Sequence, residues 1–125
     1  MDWSKYPDFS EKEFRCKATG QCQMEPEFME LLQKLRAAYG KPIVVTSGYR
    51  STKHPEEVGK IRPGAHTYGV AVDIRIEGVE AFRLVKLAYD LGFRRIGLAQ
   101  KGSGRFIHLD IGDRKLGFPQ AMWTY

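Results

Sequence analysis

His66-Thr-Tyr-Gly-Val-Ala-Val-Asp73 is the stretch around which this chain is organised. Val70, Val72 and Ile74 alternate with Ala71 and Asp73, the period of two expected of a strand buried on one face. The other face reads Gly69, Ala71, Asp73: no side chain, a methyl group, then a carboxylate. So small a face leaves room beside the carboxylate for something other than protein. His66 stands just before the strand and just after the turn signal Pro63-Gly64, so its imidazole can be swung over that space. A second alternating run, Arg105-Phe-Ile-His-Leu-Asp-Ile111, puts His108 and Asp110 on one face and Ile107, Leu109 and Ile111 on the other. Two neutral imidazoles and a carboxylate, His66, His108 and Asp73, form the usual ligand set of a catalytic zinc that keeps its fourth position open. The same three residues also read as two core histidines and a surface aspartate. Spacing alone does not choose between these readings.

The pattern His-x-x-Gly-x-Ala-x-Asp, followed downstream by Ile-His-x-Asp, resembles the zinc D-Ala-D-Ala carboxypeptidase family. Those peptidoglycan peptidases include phage endolysins and share the lysostaphin, D-Ala-D-Ala peptidase and Hedgehog type of fold. The resemblance extends to Thr46-Ser-Gly-Tyr-Arg-Ser51, to Gly40-Lys-Pro-Ile43 and back to Phe9 through Cys16. It implies one zinc per chain on His66, Asp73 and His108. It also implies a substrate-gripping role for Arg50, whose planar fork suits a carboxylate or a polarised carbonyl. Ser47 and Tyr49 of the same motif, with His54, are expected at the substrate cleft. The implied activity is hydrolysis of peptide bonds in bacterial peptidoglycan, by a carboxypeptidase or an endopeptidase. The competing reading is a non-catalytic zinc-binding module or a virion structural component with a Hedgehog-like site.

The chain departs from the family pattern in places. It reads His54-Pro55 where His-Asn is usual, Gly59-Lys60 where two glycines are common, and Gly64 where a serine often precedes the first ligand. Some relatives carry an acidic residue three positions before the last ligand; here Arg105 stands there and cannot accept a proton. Asp110, two residues beyond His108 on the same strand face, is therefore the expected general base. Its alternative role is to orient a ligand imidazole. His54 and Glu57 are outside candidates for the base.

With 125 residues, the chain is sized for one domain, residues 1–125, with a core that needs no staples. The net charge of +5 and pI of about 9.3 favour anionic partners. Lysine and arginine are scattered and no nucleic-acid motif appears, so nucleic acid is not expected; a bacterial wall, rich in carboxylates and phosphates, would attract the same charge, and the charge alone decides nothing. No apolar stretch is long enough to span a membrane. The N-terminal Met-Asp-Trp-Ser-Lys-Tyr-Pro-Asp lacks the basic and apolar regions of a signal peptide. The expectation is a monomer in the cytoplasm of an infected or lysogenic bacterium, released to the wall by a phage lysis route. Cys16 and Cys22 lack metal-site spacing and are expected as free thiols or a local disulfide.

The remaining elements follow from local signals. Ser10 and Glu13 form a capping box, with Phe9 and Phe14 as its apolar staple. Glu25-Pro26 opens a helix whose stripe is Phe28, Leu31, Leu32, Leu35 and Ala38, closed by Gly40. Residues 42–46 read as a strand and residues 51–65 as a binding loop. Val79, Phe82, Val85, Ala88 and Tyr89 supply the expected stripe of a second helix, stopped by Gly92. Residues 93–99 read as a strand, joined by Lys101-Gly-Ser-Gly104 to the His108 strand. Trp123 and Tyr125 are expected to cap the core. The fold class is α+β: a small, mostly antiparallel sheet with helices on one face and the zinc site on the other.

Overall fold

The computed structural model describes residues 1–60 and 63–125. Ile61 and Arg62, inside the expected binding loop, lie outside the described residues. Five strands form one sheet: β1 (Val44–Ser47), β2 (Ala71–Arg75), β3 (Arg95–Ala99), β4 (Phe106–Asp110) and β5 (Ala121–Thr124). Their spatial order is β1-β2-β4-β3-β5, and only the β3–β5 pair is parallel. Four helices accompany them: α1 (Glu11–Phe14), α2 (Pro26–Tyr39), α3 (Gly78–Asp90) and α4 (Gly112–Lys115). The α+β architecture is as the sequence implies.

The alternation in β2 and β4 divides the molecule into two faces. Val72, Ile74, Ile107 and Leu109 are buried in the core that also takes in Phe28, Leu32 and Leu35 of α2 and Leu84 of α3. Each fully buried side chain of this size contributes about 1.5–3 kcal/mol, so the helix-bearing face holds the sheet rigid. Asp73 and His108 alternate with these residues and project from the opposite face. At the start of the chain, Glu13 accepts a hydrogen bond from the Ser10 N–H at 2.8 Å, and Phe9 packs edge-on to Phe14. Gly40 closes α2 in a left-handed conformation at φ 78°. Both cysteines are free thiols, Cys16 buried and Cys22 half-buried.

Helix α3 turns inward only part of the stripe expected: Ala88 is buried and Val85 is half-buried against the core. Ala81, Leu84 and Ala88 are buried, whereas Val79 is 79% and Phe82 is 76% exposed, with Tyr89 also exposed. The helix carries apolar residues on most of its circumference, so periodicity offers two stripes. The one with two alanines faces the sheet. Strand limits also shift: β1 begins at Val44 and β3 at Arg95, inside the ranges read from sequence. Neither α4 nor β5 is apparent in the sequence. Both are four residues long, too short for a periodic signal.

Candidate metal centre

His66 sits in a 3-10 turn, Ala65–Tyr68, that delivers the chain into β2. The turn ends at Gly69, φ 71°, where a Cβ would collide with the backbone of Gln23 and Met24. A left-handed backbone costs a non-glycine residue about 1–2 kcal/mol before any collision is counted. Gly69→Ala is thus expected to lower Tm by roughly 5–10 °C and to misplace His66. Thermal melts together with zinc titration check this; an unchanged melt contradicts it.

Three side chains converge above the sheet. Asp73 and His108 are direct cross-strand partners, and His108 Nδ1 lies 2.9 Å from Asp73 Oδ1. His66 Nε2 lies 3.4 Å from the same oxygen. One ligand atom from each of the three residues falls within a mutual distance of 4.8 Å. Ligands held 2.0–2.1 Å from a tetrahedral ion are about 3.3 Å apart, so the spacing fits a zinc-sized cation with small adjustments. All three residues are buried. Among the described residues this is the one group of three or more histidine, cysteine or acidic side chains arranged to hold a metal ion.

Each imidazole is aligned from behind. His66 Nδ1 is 2.7 Å from the Gly48 carbonyl oxygen, so that nitrogen donates and Nε2 is left as the ligand atom. Gly48 itself has no room for a side chain: a Cβ there would lie 2.7 Å from the Phe14 Cα. His108 Nε2 is 2.6 Å from Asp110 Oδ2, leaving Nδ1 facing Asp73. Asp110 is fixed in turn. Its Oδ1 accepts from Arg95 Nε at 2.8 Å and from the Gly112 N–H at 2.8 Å. This placement bears on the base expected from sequence. Asp110 is 1% exposed with both oxygens engaged, which is the arrangement of a group that orients an imidazole.

Charge follows the hydrogen bonds. Burial works against ionisation of Asp73, but hydrogen bonds from His108 and His66 prevail and hold its carboxyl far below the usual range. Burial also disfavours the charged form of His108, yet the carboxylates of Asp110 and Asp73 outweigh it and raise its pKa.

Arg50 reaches the same cleft. Its guanidinium lies 3.4 Å from Asp73 Oδ2, 3.2 Å from Glu56 and 3.7 Å from Glu57. Its backbone N–H donates to the His66 carbonyl at 3.1 Å. Glu57 is tied by the Gly64 N–H and by Lys60. The cleft encloses about 560 Å³ and is lined by Arg50, His66, Asp73, His108 and Asp110. Ser47, Tyr49 and His54 line an adjoining depression that also reaches Arg50, and His54 Nδ1 accepts from the Glu56 N–H at 3.1 Å. Trp123 and Tyr125 line the main cleft; they do not cap the core. Arg95 is not singled out by the sequence, because its role depends on which strands pair, and the aligning role of the Gly48 carbonyl depends on where His66 falls in space.

A mixed histidine and aspartate donor set opening on a cleft is the arrangement of a catalytic metal site; structural sites are closed. The family model described as Peptidase M15 matches residues 7–110, and the chain belongs to that family. Peptidoglycan L,D-endopeptidase MepK from Escherichia coli K12 is 31% identical to it over 96 residues, covering 71% of this chain and 52% of the relative. The Shigella flexneri protein of the same name gives the same figures. The chain spans about half the length of these curated relatives. No helix among the described residues is long and apolar enough to cross a membrane.

Proposed function

We propose that this protein is a zinc-dependent peptidase that hydrolyses peptide bonds of bacterial peptidoglycan. The observation that carries the reading is the buried His66–Asp73–His108 cluster, with each histidine aligned by its own partner, on the floor of an open cleft. Membership of the Peptidase M15 family supports hydrolysis. The endopeptidase activity for which the two relatives are named supports the wall peptide as substrate and favours an internal bond over removal of a terminal residue.

His66 Nε2, His108 Nδ1 and a carboxylate oxygen of Asp73 would hold the ion. When bound, zinc would supply Lewis acidity toward a scissile carbonyl and a water nucleophile. The remaining work falls to the chain. Gly48 and Asp110 fix the two imidazoles, and Arg95 fixes Asp110. Arg50 presents a half-buried fork to a carbonyl or carboxylate of the substrate. The basic overall charge favours approach to an anionic wall.

The test of substrate and bond uses muropeptides released from purified sacculi by a muramidase. Cross-linked and pentapeptide-bearing species are incubated with the protein and the products weighed by mass spectrometry. Cleavage of an internal stem or cross-link bond is expected. Loss of a terminal alanine alone would reassign the chain as a carboxypeptidase, and no cleavage of any species would remove the proposal.

Arg50→Lys keeps the charge and loses the fork. Activity is expected to fall tenfold or more, about 1.4 kcal/mol per tenfold, with zinc content and Tm nearly unchanged. A large drop in Tm with unchanged turnover in the folded fraction would make Arg50 structural.

A further inference from the structure

The strand row that holds Asp73 and His108 continues to the far edge of the sheet. Gly97 of β3 stands opposite His108, and Trp123 of β5 stands opposite Gly97. Two strand spacings, about 9.5 Å, separate the backbones of His108 and Trp123. Their ring centroids are nevertheless only 5.3 Å apart, inclined at 51°. Glycine at the middle position is what permits this. A Cβ on Gly97 would lie 2.7 Å from Trp123 Nε1 and 2.9 Å from the Tyr125 hydroxyl oxygen.

The Tyr125 hydroxyl therefore hangs over the same glycine, and Phe106 packs against its ring with centroids 5.2 Å apart. The Trp123 indole N–H is a donor only, and its Nε1 and the Tyr125 hydroxyl oxygen crowd the same point over Gly97. A donor-only neighbour takes no proton from the hydroxyl, which keeps its own to give. Tyr125 lines the cleft together with Arg50, His66, Asp73 and His108. Arg50 enters from the β1 side of the sheet, whereas Tyr125 enters from the β5 side.

We propose that Tyr125, positioned by Trp123 over Gly97, is a substrate-binding hydrogen-bond donor whose hydroxyl grips a carbonyl or carboxylate oxygen of the peptide across the metal cluster from Arg50. The proposal rests on the peptidase reading and adds a second anchor to it. With donors on both sides, a peptide is held across the ligand row at two points. Partial desolvation raises the Tyr125 phenol above its ordinary pKa although the residue is 64% exposed, so the proton stays in place throughout the neutral range.

Two measurements test it. Tyr125→Phe removes the hydroxyl and keeps the ring. With cross-linked muropeptides as substrate, its KM is expected to rise roughly five- to tenfold, the loss of one hydrogen bond, with zinc content and Tm unchanged. Trp123→Phe, which removes the indole packed beside the hydroxyl over Gly97, should raise KM in the same direction. The second measurement uses fluorescence. The chain has two tryptophans, so Trp3→Phe leaves Trp123 as the reporter. Its emission should change as muropeptide is added, with a midpoint that moves upward by the same factor when Tyr125→Phe is introduced. If wild type cleaves muropeptides and Tyr125→Phe matches its KM and kcat, the proposal falls and the peptidase reading stands. A lower Tm with unchanged KM would leave Tyr125 a packing residue only, and overturns it too. If wild type neither cleaves muropeptides nor changes its emission with them, the peptidase reading falls and takes this proposal with it.

Discussion

Zinc binding is expected to be lost in His66→Ala and in His108→Ala, with affinity falling by more than the ~10–100-fold that follows loss of a partner hydrogen-bonded to a ligand. Removing either imidazole leaves two protein donors where a catalytic zinc has three. The two variants should not behave alike in other respects. His66→Ala vacates a hydrogen bond to the Gly48 carbonyl. His108→Ala takes away the donor that lies between two carboxylates, Asp73 and Asp110, so it should also lower Tm. Protons compete for the same nitrogen. Because Asp110 and Asp73 raise the His108 pKa above its ordinary value, competition sets in above the usual histidine range of about 6.5. Zinc affinity should therefore fall as pH drops through neutrality, and binding at neutral pH should release protons. Zinc titrations across a pH series check both. Unchanged affinity in the double variant at His66 and His108 would mean that the site lies elsewhere.

Asp110→Asn carries the second large effect. An asparagine preserves shape but replaces one acceptor oxygen with a donor, and the present geometry asks for acceptors on both sides. His108 Nε2 is 2.6 Å from one oxygen, while Arg95 Nε and the Gly112 N–H are each 2.8 Å from the other. Turned one way the NH₂ group faces His108 Nε2; turned the other it faces both the Arg95 Nε–H and the Gly112 N–H. If Asp110 orients His108, zinc affinity should drop ~10–100-fold, and activity should return in part at high zinc. If Asp110 is instead the general base, zinc affinity stays near normal while hydrolysis falls by about 10²–10⁴. The geometry favours the first result. Zinc affinity measured beside turnover at saturating metal separates the two.

The sequence carried the ligand cluster well and its surroundings poorly, for physical reasons. Asp73 and His108 lie on two short alternating runs, where a period of two fixes which side chains share a face, and His66 stands in the turn just before the first of them. The facing of β2 and β4 was therefore readable before their pairing was known. The helix-bearing face was readable for the same reason. The orientation of α3 was not, since Val79 and Phe82 are as apolar as Leu84 and only packing against the sheet selects among them. Arg95 illustrates a second limit. It stands opposite Asp110 in the β3–β4 register, and nothing local in Phe93-Arg-Arg-Ile96 distinguishes it from Arg94. Trp123 and Tyr125 illustrate a third. Their place in the cleft depends on a four-residue edge strand pairing in parallel with β3, and on a glycine two strands away from Asp73. Motifs record the residues that do chemistry; the positions that aim them depend on register.

The central claim is that the His66–Asp73–His108 centre makes this chain a wall-peptide hydrolase through bound zinc. The most direct measurement is the release of soluble muropeptides from purified sacculi by one protein preparation in three states: as purified, after chelation, and after zinc is restored. The account predicts release in the first state, none in the second, and recovery in the third, with recovery absent in His108→Ala. Release that persists undiminished after chelation, in protein shown by elemental analysis to be free of metal, would contradict it.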